Sequence, residues 1–99
     1  MAKLQDILYK VHLKEVHGST DLEVASIQID SRKVTKGAVF VAIKGELSNG
    51  HSFINKAIEL GAVAIVCEAL PALLNDEITY LQVSNCHETV ALMAHAFYG

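Results

Sequence analysis

Nowhere in these 99 residues is there a glycine-rich phosphate loop: neither GxxxxGKS/T nor GxGxxG occurs, which excludes the usual devices for holding ATP or a dinucleotide. Paired cysteines are missing as well. Cys67 and Cys86 lie far apart with no CxxC, which argues against a zinc site or a disulfide framework and for reduced thiols in a cytosolic protein. His12, His17, His51, His87 and His95 show no HxxxH or HExxH spacing, so the pattern offers no metal site. Positive charge is in deficit, with a net charge of -3 and a pI near 5.9. Such a chain has no field to draw in a polyanion, and no nucleic-acid partner is expected. No run approaches the roughly 18 apolar residues of a membrane span. The opening MAKLQDILYK has neither the apolar stretch nor the cleavage site of a signal peptide. No membrane partner and a cytoplasmic location are the expectation.

What is present is a 52% hydrophobic chain with 19% charged residues and one proline, the balance of a single globular domain over residues 1–99. A domain of this size hides roughly 65% of the surface its unfolded chain exposes. It should be stable by about 5–10 kcal/mol. Leu4, Ile7, Leu8 and Val11 recur at helical spacing and predict a short opening helix. After the turn signal HGSTD, VASIQID reads as a strand, and Lys36-Gly37 turns the chain into AVFVAI, an apolar run that fits a strand covered on both faces. Phe53, Ile54, Ala57 and Ile58 form the stripe of a helix that Ser52 or Asn49 can cap and Gly61 ends. AVAIVCE then supplies the next strand, so a βαβ unit with parallel pairing and a right-handed crossover is expected. ITYLQV is a further strand. Asn85 with Glu88 three residues on resembles a capping box before a last helix whose inward stripe is Val90, Met93, Ala94 and Phe97, with Tyr98 in the core or at a seam to a neighbour.

The polar residues concentrate around one of these strands: Asp30, Ser31, Arg32, Lys36, Lys44, Ser48, Asn49 and His51. By residue type alone Asp30-Ser31-Arg32 reads first as a turn, in which Asp and Ser bond nearby amides. Yet loops beyond the carboxyl ends of parallel strands are where α/β folds bind ligands. His51 has no nucleophile beside it in any known pattern, and a histidine at a helix start usually caps or packs. The residues therefore describe an α/β domain with a polar site and no catalytic set.

One long stretch carries more than this. DSRKVTKGAVFVAIKGELSNGHSFINKAIELGAVAIVCE, residues 30–68, closely resembles the N-terminal domain of Mur ligases, whose pattern is DSR, a spacer, PG or KG, a strand hhFhAhhG, then DGHxFIxxAhxxGAxAhhhE. The opening LxDIL and a closing VxxxxxxhALMAxxFYG from Val83 to Gly99 favour the family type that adds the third residue of the peptidoglycan stem peptide. The type adding the terminal dipeptide shares the middle motif and is the alternative. The resemblance implies a three-layer α/β/α fold with a mostly parallel sheet. It also implies that this is the first of three domains of an ATP-dependent amide-forming ligase. Such a ligase activates the stem peptide's carboxyl as an acyl phosphate, and an incoming amine displaces the phosphate. Its central domain carries the ATP-binding GTNGKT loop and, with magnesium, the chemistry, and its C-terminal domain helps to select the amino acid.

Carried over by the resemblance, the first domain holds the UDP end of UDP-N-acetylmuramoyl-dipeptide, here through Ile29 and Ser31 and then Glu46, Leu47 and Ser48. No catalytic residue, metal ligand or cofactor of its own is implied, so the domain alone is expected to be inactive. Where the family often has His-Gln-Ala, this chain has Glu-Leu-Ser. A Glu46 carboxylate beside a diphosphate would be repulsive, so backbone amides of 46–48 or the Ser48 hydroxyl should make the contact. Asn49 replaces the usual Asp before Gly50-His51. Asp30 and Arg32 are expected to brace the loop. A stand-alone nucleotide-sugar module and a purely structural interaction domain are the rival readings.

Overall fold

Two strands, β5 (Ala38–Val41) and β6 (Ala64–Cys67), are buried at every position, as strands covered on both faces must be. In the computed structural model, which describes residues 2–43 and 53–99, they form the centre of a five-stranded sheet. The sheet runs β2 (Glu15–His17), β7 (Thr79–Gln82), β6, β5, β4 (Ser26–Gln28). Pairs β4–β5, β5–β6 and β6–β7 are parallel, with Ser26 opposite Ala38, Phe40 opposite Ile65 and Ile65 opposite Tyr80. Only the edge strand β2 is antiparallel, against β7.

Side chains alternate across this sheet and divide the core in two. Val39, Val41, Ala64, Val66 and Leu81 point to the side covered by α1 (Leu4–Ile7) and α3 (Cys86–Tyr98), where Leu4, Ile7, Cys86 and Met93 meet them. Ala38, Phe40, Ile65, Cys67 and Tyr80 point to the other side, under Ile54 and Ala57 of α2 (Ile54–Glu59) and Val34. The expected three-layer α/β/α arrangement with a mostly parallel sheet is therefore the one observed.

Gly61 ends α2 at φ +111°, a left-handed conformation that suits glycine. A Cβ there would stand 2.7 Å from the Lys36 Cα, and the Gly37 amide donates to the Gly61 carbonyl at 2.9 Å. The glycine thus stops the helix and lets the two turns on that edge touch. At the other end of the molecule, Asn85 caps α3 by accepting from the Glu88 amide at 3.0 Å. A second cap comes from a distance: Glu68, just past β6, accepts from the Cys86 amide at 3.0 Å. A carboxylate there also complements the positive end of the helix.

Several elements differ from the sequence reading. The opening helix stops at Ile7, and Val11 packs against the core from beyond it after the Val11 amide bonds the Leu8 carbonyl. VASIQID does not form one strand. Glu23–Val24 is β3, paired antiparallel with β1 (Ala2–Lys3) in a separate two-stranded sheet, and β4 starts only after Ala25, whose amide is taken by the Gly37 carbonyl. β2 had no sequence signal because Glu15, Val16 and His17 are all exposed. On α3 the fully buried positions are Cys86, Thr89 and Met93, flanked by partly buried Val90, Ala94, Ala96 and Phe97, so the stripe starts a turn earlier than the pattern indicates. Tyr98 is exposed and meets Phe97 edge to face. Cys67 and Cys86 are free and buried, and burial pushes the thiols up to about 11 and about 12. Ser52, Asn49 and His51 lie outside the described residues.

Candidate functional site

Gln28 is the last residue of β4, and the chain leaves the carboxyl edge of the sheet there through a single turn of 3-10 helix, Ser31–Lys33. The turn is built by Asp30. Its Oδ1 accepts from the Arg32 amide at 2.9 Å, and its backbone carbonyl accepts from the Lys33 amide at 3.0 Å. The same carboxylate also takes the Arg32 side chain as a fork, Nε on Oδ1 at 3.1 Å and Nη2 on Oδ2 at 2.9 Å. These bonds favour the ionised acid and lower the Asp30 pKa to about 2, while the Arg32 pKa is raised by the same partner. Val34, buried on the α2 side, anchors the end of the turn.

A cleft of about 570 Å³ opens beside this turn. Among the described residues it is lined by Ile29, Asp30, Ser31, Arg32, Phe40, Ile43 and Phe53. Ile29 is 58% exposed, an unusual position for an isoleucine, and Phe53 in the same cleft is 41% exposed. Phe40, from β5, is buried behind them. Ser31 is only 7% exposed yet still reaches the cleft. The arrangement offers apolar walls for a flat group, a small hydroxyl, and one cationic side chain at the rim.

The structure places Ile29 and Ser31 on one cleft at the carboxyl edge of the parallel sheet. Glu46, Leu47 and Ser48, with Lys44 and Asn49, fall outside the described residues. Lys36 is not part of the site. It precedes β5 at the amino edge and packs on Gly61. Phe40, Ile43 and Phe53 were missed as cleft residues. Helical spacing puts Phe53 in the buried stripe, yet it stands before the first turn of α2 and lines the cleft. Their signal was available in the pattern, since Phe40 and Ile43 sit at the carboxyl end of a parallel strand.

A second cleft, of about 400 Å³, lies between Lys10, His12 and the first turns of α3, and none of the expected site residues lines it. Among the described residues no three His, Cys, Asp or Glu side chains are grouped as a metal would need, and no helix is long and apolar enough to cross a membrane.

Comparison with known proteins bears on the whole of this edge. A sequence model described as "Mur ligase family, catalytic domain" matches residues 23–98. The chain is 44% identical over 97 residues to the UDP-N-acetylmuramoyl-L-alanyl-D-glutamate--2,6-diaminopimelate ligase of Cytophaga hutchinsonii, covering 97% of this chain and 20% of that protein. It is 41% identical to the ligase of the same name from Bacteroides fragilis, over 98% of this chain and 20% of that one. The chain therefore spans about a fifth of the length of these relatives. Among solved structures, a MurF from Acinetobacter baumannii superimposes with a TM-score of 0.77 at 21% identity, over 95% of this chain and 20% of that chain, a likeness of fold. The MurF ligase from Thermotoga maritima, solved in complex with ADP, does so with a TM-score of 0.63 at 34% identity, over 72% of this chain and 16% of that chain.

Proposed function

The chain belongs to the Mur ligase family, and from that membership we propose that it is the N-terminal, UDP-binding domain of a longer ATP-dependent ligase that extends the peptidoglycan stem peptide. The observation that carries the reading is the cleft at the carboxyl edge, where Ile29, Phe40, Ile43 and Phe53 give apolar lining beside Ser31 of the DSR motif. In this reading the uracil lies against Ile29, Phe40 and Phe53, and Ser31 hydrogen-bonds the nucleotide. Glu46, Leu47 and Ser48 complete the cradle through backbone amides and the Ser48 hydroxyl. The substrate is UDP-N-acetylmuramoyl-dipeptide. The names of the similar ligases support 2,6-diaminopimelate as the third residue added. Similarity to MurF structures supports the terminal-dipeptide type as a second reading.

ATP and magnesium belong to the whole ligase. The residues of this chain do not fit them: it has no glycine-rich phosphate loop, and its described residues form no metal-ligating group. Binding them falls to the central domain, and the choice of amino acid to the C-terminal one, in a cytoplasmic enzyme. The role of this chain is to hold one end of the substrate so that its carboxyl end reaches the chemistry elsewhere.

Titration with UDP-N-acetylmuramoyl-dipeptide, UDP and ATP, followed by amide chemical shifts, tests the proposal. Shifts clustered at 29–31 and 46–48 with the first two ligands and not with ATP are expected. Equal shifts with ATP, or shifts confined to the Lys10–His12 cleft, would refute it.

A further inference from the structure

The fork between Asp30 and Arg32 leaves part of the guanidinium unused. Nε and Nη2 face Asp30, whereas no described residue accepts from Nη1. The Arg32 side chain is 85% exposed and lines the cleft, where it is the one cation among the described lining residues. An arginine held flat by a carboxylate on one edge has lost most of its rotamer freedom already, so a second anion on the other edge meets a pre-organised donor. Planar N–H donors of this kind pair with phosphate oxygens by charge-assisted bonds, shorter and stronger than neutral ones.

Resting on the UDP reading of this cleft, we infer that Arg32 reads the diphosphate: one guanidinium edge is fixed by Asp30 and the free edge donates to a phosphate oxygen of the ligand. Asp30 is then a positioning residue. It sets the plane of the guanidinium through the paired contacts to Nε at 3.1 Å and Nη2 at 2.9 Å. This assigns the cleft two recognition ends, an apolar end for the base and the Arg32 rim for the charge. The net charge of the Asp30–Arg32 pair is zero, so the selectivity arises from directed N–H donors rather than from bulk charge.

The test compares uridine, which lacks phosphate, with UDP on the 99-residue chain, by calorimetry or chemical-shift titration, for the native protein and for Arg32→Gln, Arg32→Lys and Asp30→Asn. The native chain should bind UDP more tightly than uridine, and Arg32→Gln should reduce that preference about tenfold, the lower end for hydrogen bonds to charged groups, while leaving uridine binding intact. Arg32→Lys keeps the charge but loses the fork, and should recover only part of the preference. Asp30→Asn should weaken UDP more than uridine. A purely structural role for the pair would lower both affinities together and leave their ratio unchanged, and that result overturns the inference while sparing the UDP reading. Absence of UDP binding by the native chain would overturn both. Unchanged thermal melting and amide spectra in Arg32→Lys separate loss of recognition from loss of folding.

Discussion

Asp30 titrates well below the ordinary 3.8 of an aspartate because Arg32 donates to it from both side chain and backbone. Its folded-state pKa is depressed, so the unfolded chain binds the proton more readily. The contribution to stability is therefore present above pH 3.8 and is lost as pH falls toward about 2. A carboxyl carbon titration by NMR should place the Asp30 midpoint near 2 and move it up in Arg32→Gln. An unshifted midpoint in that variant would show that the fork is absent in solution. Gly61 is the other residue whose chemistry can be isolated. Replacing it with Ala forces a Cβ against the Lys36 backbone at a φ that L residues avoid. Gly61→Ala should cost about 1–3 kcal/mol, measured as a lower urea midpoint at unchanged slope. Both features follow from short sequence signals, DSR and the glycine after a helical stripe. The partner of Gly61 was not legible, because Lys36 is brought to it by the sheet.

At the scale of the element, α3 shows how a helix can be capped by two acceptors of different origin. Asn85 is local and readable as a cap three residues before Glu88, and Asn85→Ala should cost about 1 kcal/mol. Glu68 follows the end of β6, and its carboxylate reaches the Cys86 amide only because β6 and β7 lie side by side. Glu68→Ala should lower the melting temperature by about 4–8 °C for each kcal/mol lost, with Glu68→Gln, which keeps an acceptor oxygen, retaining most of the stability. Equal losses in the two variants would mean that charge at the helix end, and not the hydrogen bond, is the source. Elements with strong apolar periodicity were placed within a residue or two: 38–41, 54–59, 64–67 and 79–82. The weak ones were not. β2 is three exposed residues held only by its ladder to β7, and the break at Ala25 follows from a hydrogen bond to Gly37 that no local pattern announces.

For the molecule as a whole, the consequence is that core and site share a wall. Phe40 packs with Ile65 and Tyr80 under α2 and also backs the cleft, so Phe40→Ala should lose about 3–5 kcal/mol of stability together with base recognition. Phe40→Leu should recover more of the fold than of the binding, as denaturant midpoints and uridine titrations on the same samples would reveal. The sequence alone settled the α/β class and the parallel βαβ centre, which follow from apolar periodicity and turn glycines, while the layer order came with the family resemblance carried by the motif of residues 30–68. Tertiary structure decided what local pattern does not encode. It turned Phe53 from the helix stripe to the cleft, placed Lys36 at the opposite edge from Ser31, and brought Glu68 to the start of α3. The physical reason is the same in each case: which edge of a sheet a residue occupies, and what it meets there, depends on strand pairing between segments distant in the chain.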